Sequence, residues 1–142
     1  TCDFEANGYR LPTEAEWEWL ARGGENYKYA GSDNVDDVAW YTSNTNDTGT
    51  REVKTKAPNG YGLYDMSGNV YEWCWDWYDS ISSSSAADGA SSGKFRIKRG
   101  GSWSSYVDRC RVADRNHDSP DNRTRHYGFR VVRSSSIMRK GK

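Results

Sequence analysis

The chain has 142 residues, with 20 basic and 20 acidic side chains. This length suits one compact domain and is short for two, so we expect a single domain over residues 1–142. A net charge of zero gives no general attraction to nucleic-acid phosphates or to anionic lipid. The charge balance therefore argues against nucleic acid as a partner.

Large aromatic side chains must supply much of the core. Hydrophobic residues make up only 35% of the chain, but seven Trp and ten Tyr are among them, which favours folding over disorder. No run of about 18 apolar residues could span a bilayer, and Thr1 to Asn7 lack the features of a signal peptide. We therefore expect a soluble or already processed protein and no membrane insertion by this domain.

A capped helix is predicted near the start of the chain. Thr13 is the expected N-cap, Glu16 completes a capping box, and Gly23 with Gly24 ends the helix. An apolar stripe at positions i, i+3 and i+4 should face the core, namely Trp17, Leu20 and Ala21. The polar stretch 25–55 is expected to be mostly irregular and anchored by Trp40.

Period-two alternation indicates strands in the second half. Between Val70 and Tyr78 it predicts a strand whose aromatic side should face the core, namely Tyr71, Trp73, Trp75 and Trp77. Residues 94–99 and 127–133 predict two further strands, and tight turns are expected at 59–60, 67–69 and 100–103. The Ser-rich residues 79–93 indicate an exposed loop. These elements predict a small, loop-rich mixed domain.

The three cysteines, Cys2, Cys74 and Cys110, are too few for a disulfide framework and lack the close spacing of metal ligands. An odd number leaves at least one thiol unpaired within the chain. A bridge between Cys74 and Cys110 and burial of each as a small apolar side chain are both compatible with the sequence.

Four segments resemble, in order, the formylglycine-generating, sulfatase-modifying family. They are Arg10-Leu-Pro-Thr-Glu-Ala-Glu-Trp17, the run from Pro58 to Trp73, Arg99-Gly-Gly-Ser-Trp103 and Gly128-Phe-Arg130. The resemblance implies an α+β fold, the C-type-lectin fold of the formylglycine-generating-enzyme type, loop-rich with short antiparallel strands. It also implies that the family's usual N-terminal portion lies outside this sequence.

Enzymes of that family look like copper-dependent oxidases that use two thiols shortly after the Gly-Gly-Ser-Trp turn, and soft monovalent copper suits two thiolates. Here residues 104–110 contain only Cys110, which resembles the family's structural cysteine, followed by Arg111 and Arg115. One thiol does not make that site. The sequence therefore predicts no catalytic activity and no required cofactor.

Other catalytic patterns are weak. Asp76 and Asp79 are expected to be surface or network carboxylates, since no third group is placed to shift their pKa values. His117 and His126 have neither triad nor helical zinc spacing.

The stretch from Ser104 to Tyr127 is unusual for what it lacks. It contains no Lys, Glu, Gln, Met or Trp, whereas the rest of the chain has seven Lys, seven Glu, seven Trp and two Met. These five are the residues that an Asn codon ending in C cannot reach when its two adenines are replaced freely. The stretch resembles the variable region of the proteins diversified by retroelements, many of which use this fold. The alternative is a polar loop that avoids five residue types by chance, since Gln is absent from the whole chain.

This resemblance predicts a ligand-binding variable region over residues 104–127, with fixed and free positions interleaved. The expected fixed positions are Cys110, Arg111, Val112, Ala113, Arg115, Pro120 and Arg123. Tyr, His and Arg supply contact area while Ser, Asp and Asn adapt to different partners. The predicted ligand contacts are Ser105, Tyr106, Asp108, Arg109, Asp114, His117, Asp118, Ser119, Asn122, Thr124, Arg125, His126 and Tyr127. The expected partner is a varied ligand, most simply a protein.

The family resemblance also implies a structural calcium site, in the loop before the aromatic strand. The matching residues are Asp65, Met66, Gly68 and Val70, and a carboxylate with carbonyl oxygens suits a hard cation. In the alternative, Asp65 caps a turn while Asn69 and Glu72 hydrogen-bond the loop internally.

Together these observations predict a ligand-binding protein, and the resemblance implies a cell-surface or extracellular location. Two alternatives stay open. One is an oxidase-type enzyme of the formylglycine-generating class, and the other is an adhesin or scaffold domain of fixed specificity.

Overall fold

The computed structural model describes residues 2–4, 6–79 and 92–133. Among these residues, no helix has the length and apolar character needed to cross a membrane. The helices are α1 (Glu14–Arg22), α2 (Val35–Val38), α3 (Thr42–Thr45) and a 3₁₀ turn (Val107–Cys110). The strands are β1 (Tyr9–Arg10), β2 (Ala39–Trp40), β3 (Ser67–Gly68), β4 (Tyr71–Trp77), β5 (Arg96–Arg99), β6 (Asn116–Asp118), β7 (Tyr127–Gly128) and β8 (Val132–Arg133).

Helix α1 forms as its sequence predicts. The Thr13 hydroxyl accepts from the Glu16 N–H at 3.2 Å, and the Glu16 carboxylate accepts from the Thr13 N–H at 2.8 Å, which completes the capping box. The helix ends at Gly23, whose φ of 61° is a left-handed conformation that glycine adopts without strain. Trp17 and Ala21 are fully buried and Leu20 packs against the same cluster, so the predicted apolar stripe is confirmed.

The main sheet has four strands in the order β6-β5-β4-β7. Strand β5 is antiparallel to both neighbours, whereas β7 runs parallel to β4, with Tyr127 opposite Tyr71. A second parallel pair joins β2 and β3, and β1 pairs with β8 antiparallel. The expectation of antiparallel strands is therefore wrong for two pairs. Because β7 lies at the edge opposite β6, residues 119–126 must connect the two edges of the sheet.

The two sides of β4 are reversed relative to the prediction, except that Tyr71 is buried as expected. Glu72, Cys74 and Asp76 are buried, while Trp73, Trp75 and Trp77 are half-buried. The buried carboxylates are tolerated because each has hydrogen-bond partners. Glu72 accepts from the Trp17 indole at 2.7 Å and from Arg130 at 2.8 and 3.0 Å, and Asp76 accepts from the Glu14 N–H at 2.6 Å.

The stretch 25–55 is more regular than predicted, since it forms α2, β2 and α3. Its anchor is not Trp40, which is only half-buried. A separate apolar cluster holds it in place, made of Tyr29, Val35, Val38, Ala39, Tyr41 and Cys110. Asn34 starts α2 because its side-chain oxygen accepts from the Asp36 N–H at 3.3 Å.

Two predicted elements near the ends of strands also differ from expectation. The expected strand over 127–133 is divided between β7 and β8, which belong to different sheets, because Arg130 between them pairs with buried Glu72. The expected turn at 67–69 contains β3, and Gly68 lies so close to β2 that an added Cβ would be 2.3 Å from the Trp40 carbonyl oxygen. The predicted loop 79–93 lies mostly outside the described residues.

A buried ionic network joins α1, β5 and the segment after the 3₁₀ turn. The Arg99 side chain is fully buried and pairs with Glu14 at 2.5 Å and with Glu18 at 2.7 Å. Glu14 also binds Arg115 through both carboxylate oxygens, each at 2.7 Å. A fully buried guanidinium is tolerated only because it is paired in this way.

Candidate ligand-binding surface

The segment 104–127 begins on a turn that only glycine can form. Gly101 has a φ of 76°, and a Cβ there would be 2.9 Å from the Arg109 carbonyl oxygen and 3.0 Å from the Cys110 sulfur. The 3₁₀ turn therefore packs directly on the Gly-Gly-Ser-Trp backbone. Trp103 is fully buried, and the hydroxyls of Ser102 and Ser105 lie 3.0 Å apart.

Three of the expected fixed positions attach this segment to the interior. Cys110 and Val112 are buried, and the Val112 N–H donates to the Lys28 carbonyl at 3.0 Å. Arg115 is held by Glu14. The other expected fixed positions lie nearer the surface, with Arg111 half-exposed and Ala113, Pro120 and Arg123 exposed.

The predicted ligand contacts divide into three groups by exposure. Tyr106 is 76% exposed, and the other exposed members are Asp108, Arg109, Asn122, Thr124 and Arg125. The half-buried members are His117, Asp118, Ser119, His126 and Tyr127. Ser105 and Asp114 are buried, each at 9% exposure, so a ligand would reach them only at their edges.

A hydrogen-bonded cluster links Asp118 of β6 to Tyr127 of β7, which lie at opposite edges of the main sheet. The Tyr127 hydroxyl bonds to Asp118 and to the ammonium of Lys98, which also lies 3.4 Å from Asp118. The Lys98 ammonium sits 3.9 Å from the centre of the Tyr127 ring and 4.8 Å from that of Tyr71. Sequence reasoning missed Lys98 and Tyr71, because only strand pairing brings them under the segment.

The ionisation of this cluster follows from its burial. Desolvation lowers the pKa of Lys98, against the opposing effect of Asp118. Desolvation works to raise the pKa of Asp118, but the hydrogen bonds from Tyr127 and the Ser119 N–H outweigh it, and the pKa falls below its usual value. Burial and the neighbouring carboxylate raise the pKa of Tyr127. At neutral pH the cluster is therefore a neutral phenol between an anion and a cation.

Both histidines stack on aromatic rings that lie outside the segment. His117 stacks on Tyr78 with ring centroids 3.9 Å apart, and His126 stacks on Trp103 at 4.7 Å. The two histidines therefore belong to different parts of the surface. No three His, Cys, Asp or Glu side chains are grouped for a metal ion in the described ranges.

An apolar groove of about 260 Å³ opens beside the segment. Its lining includes Trp73 and Trp75 of β4, Pro120 from the segment, and Phe129, which is 69% exposed. Sequence reasoning assigned both tryptophans to the core and so missed this groove.

The buried thiols do not fit a two-thiolate copper site. All three cysteines are free, and burial of Cys74 and Cys110 in separate clusters agrees with the second of the two expected alternatives. Burial, assisted by Asp108 and Asp114, raises the pKa of Cys110 to about 12. Because Cys74 and Cys110 lie in different clusters, they do not present the two thiolates of one copper site.

The predicted calcium loop is braced by hydrogen bonds within the protein. Asp65 accepts from the Lys54 N–H at 2.9 Å, and Asn69 exchanges bonds of 3.0 and 3.1 Å with the backbone of Arg51. Glu72 instead faces Trp17 and Arg130. Asp65 is the single carboxylate of the predicted set, and the remaining ligands would be carbonyl oxygens. Calcium at Asp65, Met66, Gly68 and Val70 stays a prediction.

The fold and the order of these elements define a family. Residues 3–135 match the model of the sulfatase-modifying factor enzyme 1-like domain, and the chain belongs to that family. The solved structure of Treponema denticola variable protein 1 is similar, with a TM-score of 0.86 and 46% identity, covering 91% of this chain and 49% of that one. The expected C-type-lectin fold of this family and the expected resemblance to variable proteins that use it are thereby confirmed.

Curated relatives carry several different names. The chaperone protein LppX of Paenibacillus barcinonensis is 40% identical, with 94% of this chain and 52% of the relative covered. The formylglycine-generating enzyme of Thermomonospora curvata is 40% identical, with 88% and 49% covered. The chain thus spans about half the length of these relatives.

Proposed function

We propose that this protein binds ligands through the segment 104–127, that a retroelement diversifies this segment by adenine-directed mutagenesis, and that the domain is not catalytic. One observation carries the proposal. The segment that lacks the five unreachable residue types is also the one that presents six exposed side chains of the predicted contact set. The likeness to Treponema denticola variable protein 1 supports it.

The anchoring of the segment explains how its surface could vary without loss of the fold. Cys110, Val112 and Arg115 connect it to the interior, while Tyr106 is 76% exposed and the side chains of Asp108 and Arg109 next to it are also exposed. Substitutions at such exposed positions usually change stability by no more than about 0.5 kcal/mol. We propose a protein as the ligand, because Tyr, Arg, Ser and Asn on a rigid scaffold suit protein recognition.

The decisive experiment is to sequence the DNA flanking this gene and search for a near-copy of the codons for residues 104–127. A copy that differs from the gene only at its own adenines is the expected result. Absence of any such copy would refute diversification and leave a fixed-specificity adhesin or scaffold domain.

Enzymatic function is the competing candidate, favoured by the 40% identity to a formylglycine-generating enzyme. The burial of Cys74 and Cys110 in separate clusters argues against it. Copper binding and thiol-dependent oxygen consumption should both be absent. Copper-dependent oxygen consumption that Cys110→Ala abolishes would contradict the non-catalytic proposal.

Two further parts of the proposal concern location and metal. We propose display at the cell surface, and protease treatment of intact cells should then remove the domain. We also propose that calcium at Asp65 is structural, so calcium should raise the melting temperature of the wild type and not of Asp65→Asn. If calcium and chelator change the melting temperatures of both proteins equally, Asp65 does not bind structural calcium.

A further inference from the structure

A cationic cleft lies between the end of α1 and residues 111–113, just outside the predicted contact set. It has a volume of about 320 Å³. Three cations line it, Arg22, Lys28 and Arg111, and Asp33 is the single acidic residue of its lining. Its lining therefore carries more basic than acidic side chains, although Arg22 and Arg111 have carboxylate neighbours in Glu18 and Asp114.

Lys28 is the least compensated of the three cations. Its ammonium lies 5.4 Å from the centre of the Tyr29 ring, and it forms no ion pair with any described residue. The nearby Asp33 carboxylate accepts instead from the backbone N–H of Lys28 at 2.9 Å. An exposed ammonium with no carboxylate partner is available to a ligand.

The guanidinium groups of Arg22 and Arg111 differ in how strongly they are held by acceptors within the protein. Arg22 donates to Glu18 at 2.8 and 3.2 Å, so it mainly forms one wall of the cleft. Arg111 uses its Nε to reach the Asp108 carbonyl at 2.9 Å, and its terminal nitrogen is 3.8 Å from Asp114. Because a guanidinium carries five donors, these contacts leave further N–H groups of Arg111 for a ligand, and Arg111 lines the cleft together with Lys28.

The walls of the cleft are held together by the protein itself. The Val112 N–H donates to the Lys28 carbonyl at 3.0 Å, and Val112 is buried. This bond keeps Lys28 beside Arg111 without a ligand, which lowers the entropic cost of binding.

We propose that this cleft is a carboxylate-binding subsite that accepts an Asp or Glu side chain of a protein ligand. Lys28 and Arg22 lie outside the diversified segment and Arg111 is one of its expected fixed positions, so the subsite would be constant while the neighbouring surface changes. A planar carboxylate matches the fork of Arg111 and the point charge of Lys28. The claim about natural ligands rests on the proposed function, whereas binding of a carboxylate does not.

A hexa-aspartate peptide tests the subsite by isothermal titration calorimetry at low salt, with a hexa-serine peptide as the blank. The wild-type domain should bind the acidic peptide, more weakly as salt is added. Lys28→Gln and Arg111→Gln should each lower the affinity about fivefold, as expected for one partly exposed ion pair. Lys94→Gln is the matched control, since its ammonium is also exposed and lies 5.3 Å from the centre of the Phe95 ring.

Three outcomes would overturn the proposal. They are no saturable binding of the acidic peptide, an equal loss of affinity in Lys94→Gln, and tighter binding of a sulfated oligosaccharide that displaces the peptide. Melting temperatures of all variants separate loss of binding from loss of folding. The flanking-DNA search distinguishes failure of the subsite from failure of the proposed function, because the two results do not depend on each other.

Discussion

Replacement of Glu14 by Gln tests the buried ionic network that supports the segment. The Glu14 side chain is only 14% exposed and pairs with Arg99 and Arg115. Removing one partner of a buried pair costs about 3–5 kcal/mol because an uncompensated charge is left inside. Glu18 still pairs with Arg99, and Arg115 is 20% exposed, so we expect the lower end, about 3 kcal/mol.

This free energy converts into a measurable change in melting temperature. The unfolding entropy of about 2.1 cal/mol/K per residue amounts to roughly 0.3 kcal/mol/K for a chain of this size. Glu14→Gln should therefore lower the melting temperature by about 10 °C in scanning calorimetry. Glu52→Gln is the matched control, since Glu52 is exposed and should shift it by less than about 2 °C. Equal shifts in the two variants would refute the network.

Three further predictions concern the segment and the thiols. Tyr106→Ala should leave the free energy of unfolding within about 0.5 kcal/mol of wild type, whereas Trp103→Ala should lower it by about 3–5 kcal/mol; urea denaturation measures both, and similar losses would contradict the contrast between the exposed Tyr106 and the buried Trp103. Iodoacetamide at mildly alkaline pH should modify only Cys2 in the folded protein and all three thiols after unfolding, and mass spectrometry would reveal a second reactive thiol if the burial were wrong. The lowered pKa of Asp118 stabilises the fold above the unfolded value of about 3.9, and this contribution is lost as pH falls through the folded pKa. Asp118→Asn should thus be less stable than wild type near neutral pH and equal to it in strong acid, and a difference independent of pH would contradict this origin.

Local features of the fold could be predicted because they depend on residues close in the chain. Thr13, Glu16 and Gly23 define both ends of α1 through contacts within a few residues, and alternation is sufficient to predict β4 and β5. The same holds for the candidate segment, since the absence of five residue types is a property of composition alone. The apolar groove could not be predicted from the sequence, because the side of a strand that carries aromatic residues is usually buried in the core.

The sequence by itself determined the family, the main helix, the principal strands and the position of the candidate binding segment. The tertiary structure alone decided which side of β4 is buried, that β7 pairs in parallel with β4, and that Lys98 lies beneath Asp118 and Tyr127. The physical reason is distance along the chain. Burial of Glu72 depends on Trp17, 55 residues away, and Arg115 meets Glu14 across 101 residues, so no local pattern carries either contact.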